Sequence, residues 1–436
     1  MGLKTTTPGG RAARLFGAGA RTLGRRLVSA LPVGDATRRR LAYWQAVGED
    51  WTETLGDLRG AAMKLGQLAS QYSDLLPPPL AEQLQKLQRA AEPLPWATVS
   101  PWLDAAWGPA GWAEVETVEP EALAAASIGQ VHPARLVDGR EVVVKIRYPG
   151  VEAAVASDLS HLRRLIGLSK LLPLDGEALD RLMEEVRQRL TEETDYRAER
   201  RHLQALRDGA ASPGVRYPQA VESLCSDGVL VLERLDGEAL GTARHWPQAE
   251  RDALGLILAR WLLVQLFEAG LIHADPHAGN FAFRRSGPEL IVYDYGCVKR
   301  IPPAVMAGVR ALLAAAAAED WPRLHAELEA LGGLSERAEL ARLQPLYAEW
   351  RTLALARLTA AETFDFADPA FIEDLRAAAR RQIGLSLSFK PVTDLVFVLR
   401  ALSGHYWLLR ALGARVPVRG LLAGAGIPLP PPTAAG

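Results

Sequence analysis

Two stretches of the chain, Leu271-Ile-His-Ala-Asp-Pro-His-Ala-Gly-Asn280 and Ile291-Val-Tyr-Asp-Tyr-Gly296, restrict its fold more than any other feature. They spell H-x-D-x-x-x-x-N followed by D-Y-G. Asp275 and Asn280 lie five positions apart on one loop, so the acid can face an acceptor hydroxyl while the amide faces a metal ion. Asp294 follows Asn280 by 14 residues, and the apolar run Leu290-Ile-Val292 before it reads as a short strand. A hairpin of that length returns the Asp294 carboxylate to the same metal. An apolar helix predicted over 254–271 delivers the first loop.

The upstream sequence supplies what such loops need. Residues 131–137 and 141–146 read as two strands joined by Asp138-Gly139, a hairpin turn signal. The second strand carries Val142-Val-Val-Lys145, the pattern in which a strand lysine reaches the α- and β-phosphates of a nucleotide and is held by a helix glutamate. Ala124-Ala-Ala-Ser-Ile-Gly-Gln130 stands where a glycine-rich phosphate loop would be, with Ala124, Ala125, Ala126 and Ser127 facing the phosphates. Alanine resists positive φ, so this loop should sit differently over a triphosphate. Leu179, Leu182, Val186 and Leu190 have helical period and run into Glu192-Glu-Thr-Asp195-Tyr-Arg-Ala-Glu199. Asp195 and Glu199 are one turn apart on one face, and Glu199 is the acid chosen to pair with Lys145. Residues 228–235 read as the strand and connection whose backbone, from Glu233 to Leu235, would hydrogen-bond adenine.

With 436 residues the chain has material for two or three units, and its net charge of −1 disfavours a nucleic-acid partner. Two cysteines make neither a disulfide framework nor a zinc pattern, which fits a reducing, cytoplasmic setting. The most apolar stretch, 253–272, is interrupted by Arg260, Gln265 and Glu268 and reads as a buried helix rather than a membrane span. The N-terminal segment is different. Its many basic residues face the single acid Asp35, and Phe16, Ala20, Leu23, Leu27 and Leu31 recur at helical spacing. Such a stretch suits peripheral contact with the anionic inner face of a membrane.

Taken together these residues resemble the UbiB-like, or aarF-domain-containing, atypical kinases, over roughly residues 58–404. The most specific element is Arg59-Gly-Ala-Ala-Met-Lys64-Leu-Gly-Gln67, which is similar to the family's K-x-G-Q signature. The alanine-rich loop, Lys145-Ile-Arg-Tyr-Pro-Gly-Val151 and Glu193-Thr-Asp195, the E-x-D element, complete the set. The resemblance implies an α+β, two-lobed protein-kinase-like fold with a small β-rich N-lobe, a helical C-lobe and an N-terminal helical extension. In that arrangement Lys64 and Gln67 reach toward the nucleotide site, and Lys64 pairs with Glu193 or Asp195.

The same resemblance implies ATP/ADP and Mg2+ as cofactors, ATPase or phosphotransfer activity, and a role in ubiquinone or other isoprenoid-lipid metabolism, with a quinone precursor as partner. Expected boundaries are a basic segment over 1–45, the helical extension over 46–115, lobes over 116–235 and 236–418, and a Pro-rich disordered tail over 419–436. Ala274 replaces the arginine of H-R-D, and no A-P-E segment follows Gly296. Both features disfavour a phospho-switched protein kinase. Two rivals remain: a small-molecule kinase of the aminoglycoside or choline type, and a nucleotide-gated lipid-binding protein without phosphotransfer.

Overall fold

The computed structural model describes residues 93–125, 128–151, 195–285 and 287–429, with isolated residues between 159 and 194. These fall in two compact units. The first takes in the chain up to Ala198 together with Gln219–Arg234; the second takes in Glu199–Pro218 and the chain from Leu235 onward.

Helix α1 (Trp96–Trp112) opens the described part of the first unit, directly after the Glu92-Pro-Leu-Pro95 break and within the helical extension expected over 46–115. Pro101, Pro109 and Gly108, at φ 55°, make α1 irregular and hide its period. Packing holds it instead. Val99 and Leu103 are fully buried and join Trp107 against Val144, Ile146 and Val231 of the sheet. The Trp107 indole donates to the Leu224 carbonyl at 2.9 Å. Tertiary burial of this kind commonly outweighs weak helix propensity.

The sheet comprises β1 (Val115–Val118), β2 (Ala124–Ala125), β3 (Gly129–Leu136), β4 (Glu141–Arg147) and β6 (Val229–Glu233). Its order is β1-β3-β4-β6, with β2 beside β3 and every pairing antiparallel. The β3–β4 hairpin turns at Gly139, whose φ of 86° suits glycine. Along β4, Val142, Val144 and Ile146 are buried and Val143 and Lys145 alternate with them, so Lys145 points to the face opposite the core. Gln130 and His132 are buried polar residues of β3. Gln130 spans both backbone groups of Leu94, accepting from N at 2.8 Å and donating to O at 3.1 Å. His132 bonds the Glu119 carbonyl through Nδ1 at 2.8 Å, which fixes Nε2 as the acceptor for the Gln130 amide at 2.7 Å. Burial lowers the pKa of this imidazole, against the pull of the Glu119 bond.

The second unit begins within α2 (Tyr196–Gly209), followed by the short strand β5 (Val215–Arg216). Helix α3 (Gln248–Val264) buries Leu254, Leu258, Trp261 and Leu262. It ends in one π-helical turn, Gln265–Ala269, and Gly270 in the left-handed region at φ 58°. The predicted helix over 254–271 is therefore an α-helix plus a π turn leading into β7 (Leu271–His273). β8 (Phe281–Arg284) and β9 (Glu289–Val292) form the expected hairpin, with β5 parallel to β9. β10 (Val298–Arg300) returns antiparallel to β7. The rest is mainly helical: α4 (Pro303–Ala317), α5 (Trp321–Ala330), α6 (Leu340–Trp350), α7 (Pro369–Arg381), α8 (Thr393–Leu412) and α9 (Val418–Gly424), with β11 (Phe364–Asp365) paired to β12 (Arg415–Val416).

α8 is, by length and composition, the one described helix able to cross a membrane. It is also built into the second unit, because Val398, Ala401, His405, Leu408 and Leu409 are buried and the Arg410 guanidinium donates to the Asp368 carbonyl at 3.0 Å.

Two outcomes follow from this packing. A Cβ on Gly129 would lie 2.4 Å from the Ile146 carbonyl oxygen, a backbone atom that cannot turn aside. Gly129→Ala should lower the unfolding free energy by about 1–3 kcal/mol, as overpacking does; an unchanged urea midpoint would contradict it. His405 is held down to about 4 by burial, against the raising effect of its bond to the Ala401 carbonyl. The unfolded chain thus binds a proton that the folded chain refuses between the two pKa values. Stability from neutral His405 is full above about pH 6.5 and is lost as pH falls through 4. Urea titrations at pH 7 and pH 5 should differ by about 2 kcal/mol from this group, and His405→Leu should remove that share of the slope.

Candidate functional site

The hairpin β8–β9 brings the two diagnostic loops of the second unit together. Phe281 lies opposite Val292, and the Tyr293 N–H donates to the Asn280 carbonyl at 2.9 Å, so the residues bearing the amide and Asp294 flank one end of the ladder. Within the first loop the chain bends at Pro276. His277 caps a 3-10 turn, Ala278–Asn280, by accepting from the Gly279 N–H at 3.1 Å.

Asn280 is divided between two tasks. Its Nδ2 donates to the Asp275 carbonyl at 2.8 Å and to Asp275 Oδ2 at 3.1 Å. With the nitrogen committed, Oδ1 is the amide atom suited to a cation. The other Asp275 oxygen, Oδ1, accepts from Arg400 of α8 at 3.3 Å, with Arg400 16% exposed and Asp275 33% exposed. The acid is thus held from two directions.

Asp294 is fixed through its backbone and its carboxylate. Its carbonyl meets His273 Nε2 at 2.8 Å, and its Oδ1 accepts from the Gly296 N–H at 3.0 Å. Because a carbonyl only accepts, His273 carries its proton on Nε2. His273 is fully buried, and its own N–H is bonded by Gln265 Oε1 of the π turn at 2.7 Å. Tyr295 is fully buried; its carbonyl meets His202 Nδ1 of α2 at 2.9 Å, and its hydroxyl donates to the Val292 carbonyl. Burial first, then the Tyr217, Glu199 and Asp294 charges, pushes this phenol far above its ordinary range, so it stays neutral. After Gly296 the chain enters β10 and then α4 at Pro303, so no long segment intervenes.

A carboxylate and an amide oxygen without further acids suit Mg2+, which usually takes few protein ligands and completes its shell with water and phosphate. No cluster of three or more His, Cys, Asp or Glu able to hold a metal occurs among the described residues.

Other expected residues take places of their own. In the first unit, Lys145 lies on β4 with its ammonium 5.7 Å from the Tyr196 ring centroid. Ala124 and Ala125 form β2 against Val131 and Gln130. Asp195 caps α2, its Oδ1 accepting from the Ala198 N–H at 2.8 Å, a role the sequence reading did not assign. The Glu233 N–H is engaged by the Gln219 carbonyl at 2.7 Å, and the Arg234 N–H by the Glu141 carbonyl at 3.0 Å. In the second unit, Glu199 is buried, and the Leu235 carbonyl accepts from the Tyr293 hydroxyl at 2.6 Å. Lys64, Gln67, Ala126, Ser127, Glu193 and the basic segment over 1–45 lie outside the described residues, and of the helix expected over 179–190 only Asp180, Met183, Glu184 and Arg187 are described, all helical.

Arg400 and Gly404, both on α8, touch the Asp275 loop and carry no motif. Nothing in the local sequence signals Arg400, one of two arginines on α8. A Cβ on Gly404 would fall 2.1 Å from Pro276 Cγ and 3.0 Å from the Pro276 carbonyl. That closeness lets α8 bring Arg400 to Asp275. Gly404→Ala should cost about 1–3 kcal/mol of stability and shift backbone resonances from Asp275 to Asn280; a spectrum and denaturation midpoint matching the parent would refute this.

Comparisons with known proteins give the family and the fold. The ABC1 atypical kinase-like domain matches residues 86–328. The chain is 30% identical over 383 residues to the mitochondrial atypical kinase COQ8 of Schizosaccharomyces pombe, covering 85% of this chain and 61% of that protein. It is 34% identical over 254 residues to the mitochondrial atypical kinase COQ8B of Rattus norvegicus, covering 58% and 48%. The chain thus spans about half to three fifths of these relatives. Among solved structures, the Rv3197–erythromycin complex from Mycobacterium tuberculosis superposes with a TM-score of 0.61 at 27% identity, covering 86% of this chain and 94% of that one. The fold is α+β and protein-kinase-like, with a β-sheet unit and a helical unit.

Proposed function

Because the chain belongs to the ABC1 atypical kinase-like family, we propose that it is a phosphotransferase-type enzyme that binds ATP with Mg2+ and passes the γ-phosphoryl group to water or a hydroxyl. The observation that carries this reading is the division of Asn280: nitrogen committed to Asp275, oxygen left beside the hairpin that presents Asp294.

In this proposal Asn280 Oδ1 and Asp294 hold the cation, and Mg2+, when bound, supplies neutralisation of charge building on the phosphoryl oxygens. Lys145 binds the α/β-phosphates and Glu199 orients it. The alanine-rich loop, Ala124 to Ser127, covers the triphosphate. Adenine is read by the backbone between Glu233 and Leu235. Since the Glu233 N–H and Leu235 carbonyl are already paired, the Glu233 carbonyl and Leu235 N–H are the groups assigned to the base. Asp275, clamped by Asn280 and Arg400, orients the acceptor hydroxyl or water and takes its proton. By the family motif, Lys64 and Gln67 gate this site with Glu193 and Asp195. The lobes run over 116–235 and 236–418, behind the helical extension over 46–115.

The biological setting proposed is ubiquinone or other isoprenoid-lipid metabolism, supported by similarity to the two COQ8-type proteins. The basic N-terminal segment would supply contact with an anionic membrane surface.

Asp294→Asn is expected to lower Mg2+-dependent ADP affinity and ATP turnover by more than about a hundredfold. Isothermal titration with and without Mg2+ checks it; parental binding in the variant would remove the metal assignment. Arg400→Ala should reduce turnover by about ten- to a hundredfold while ADP affinity stays within about twofold. Equal losses in both would make Arg400 structural. ATPase assays with anionic liposomes and isoprenoid-like phenols should show stimulation. Rapid phosphorylation of a soluble alcohol, unaffected by lipid, would favour a small-molecule kinase instead.

A further inference from the structure

Beside the π turn that precedes β7, the second unit contains a cavity of about 370 Å³. Its walls are the π turn, the end of β10 and the first turns of α4, with Phe267, Ile301, Met306, Arg300 and Arg310 among the lining residues. The volume lies toward the lower end for small-molecule sites. Its chemistry is uneven. One wall is apolar and aromatic, whereas two guanidinium groups stand against a single acid, the exposed Glu268.

The two arginines differ. Arg310 is half-buried and built in: its ring-facing guanidinium lies 4.7 Å from the Phe267 centroid, and it donates to the carbonyls of Ala425 and, at 3.3 Å, Phe267. Arg300 is exposed, and among the described residues its guanidinium makes no side-chain hydrogen bond or ion pair. A fixed cation and an exposed one beside an apolar wall suit a ligand with an anionic head and a compact apolar body.

The place of the cavity matters as much as its chemistry. Arg300 pairs with Leu271, and Val298 with His273, across the β7–β10 ladder. The same π turn supplies Gln265, which holds the His273 N–H. β7 runs directly into Asp275, and β10 follows directly from Asp294 and Gly296. π turns are frequent at functional sites.

We propose that this cavity binds a small anionic amphiphile, a carboxylate or phosphate monoester on a compact apolar group, and that occupancy stiffens the ladder carrying both acid-bearing loops. This goes beyond the nucleotide reading and is tested without nucleotide. With the full chain, phenyl phosphate and benzoate are titrated by calorimetry, alongside inorganic phosphate and vesicles containing anionic or only zwitterionic lipid. Saturable binding of both aromatic probes is expected, with inorganic phosphate at least about tenfold weaker because it cannot use the apolar wall. Arg300→Gln should weaken the probes about tenfold, the loss of one charge-assisted hydrogen bond. Ala307→Trp, which fills the mouth from an exposed position, should abolish binding, while both variants keep parental Mg2+–ADP affinity.

Phenyl phosphate should also slow amide exchange over Leu271–His273. Parental probe affinity in both variants would overturn the site. So would inorganic phosphate binding as tightly as phenyl phosphate, or Arg300-dependent capture by anionic vesicles with neither soluble probe bound. If Asp294→Asn lost the probe, the ligand would sit at the nucleotide loops and the proposal would fail. Unchanged exchange would overturn the stiffening.

Discussion

The geometry of the second unit depends on the bonds between Asn280 and Asp275. A side-chain amide has one donor end and one acceptor end, and here the donor end is spent on the acid of its own loop. That one commitment orients the oxygen, restrains the carboxylate and closes the turn that begins at Pro276. The β8–β9 hairpin then sets the distance to Asp294, and His273 and Gly296 hold Asp294 by carbonyl and carboxylate. Most of these partners are backbone groups, which cannot rotate away. Preorganisation of this kind is what electrostatic catalysis requires, because little reorganisation remains at the moment of reaction.

Close approach by small residues recurs in both units. Gly129 was read as the remnant of a phosphate loop, yet in the structure it admits the Ile146 carbonyl. Gly404 does the same for α8 and Pro276. Neither glycine has positive φ, so their value lies in the missing Cβ rather than in backbone freedom. Glycine in a motif can therefore have a packing cause even where a binding cause is suggested by its neighbours.

Much was legible in the chain because local chemistry and topology coincide. The turn at Asp138-Gly139, the alternation through Val142 to Ile146 and the interval between Asn280 and Asp294 each encode geometry over a short span, and each strand appeared where its pattern placed it. α1 falls within the helical extension expected over 46–115, but two prolines and a kinked glycine erase its period, and only the partners Val144, Ile146 and Val231 reveal why it folds. The cap formed by Asp195 was obscured by its acidic neighbours, which invited a binding role. Arg400 was unreadable for a different reason. Its partner is 125 positions away, and no local pattern announces a contact at that separation.

That long-range clamp has a consequence for where the working part of this chain ends. The family match closes at residue 328, whereas the arginine that anchors the acid sits on a helix beginning at Thr393. A fragment cut at the match would lack α8, whose Val398 and Ala401 share a core with Leu262, Leu266 and Ile272. It would also leave Asp275 without its contact to Arg400. The border of the matched domain is therefore not a border of the packed unit.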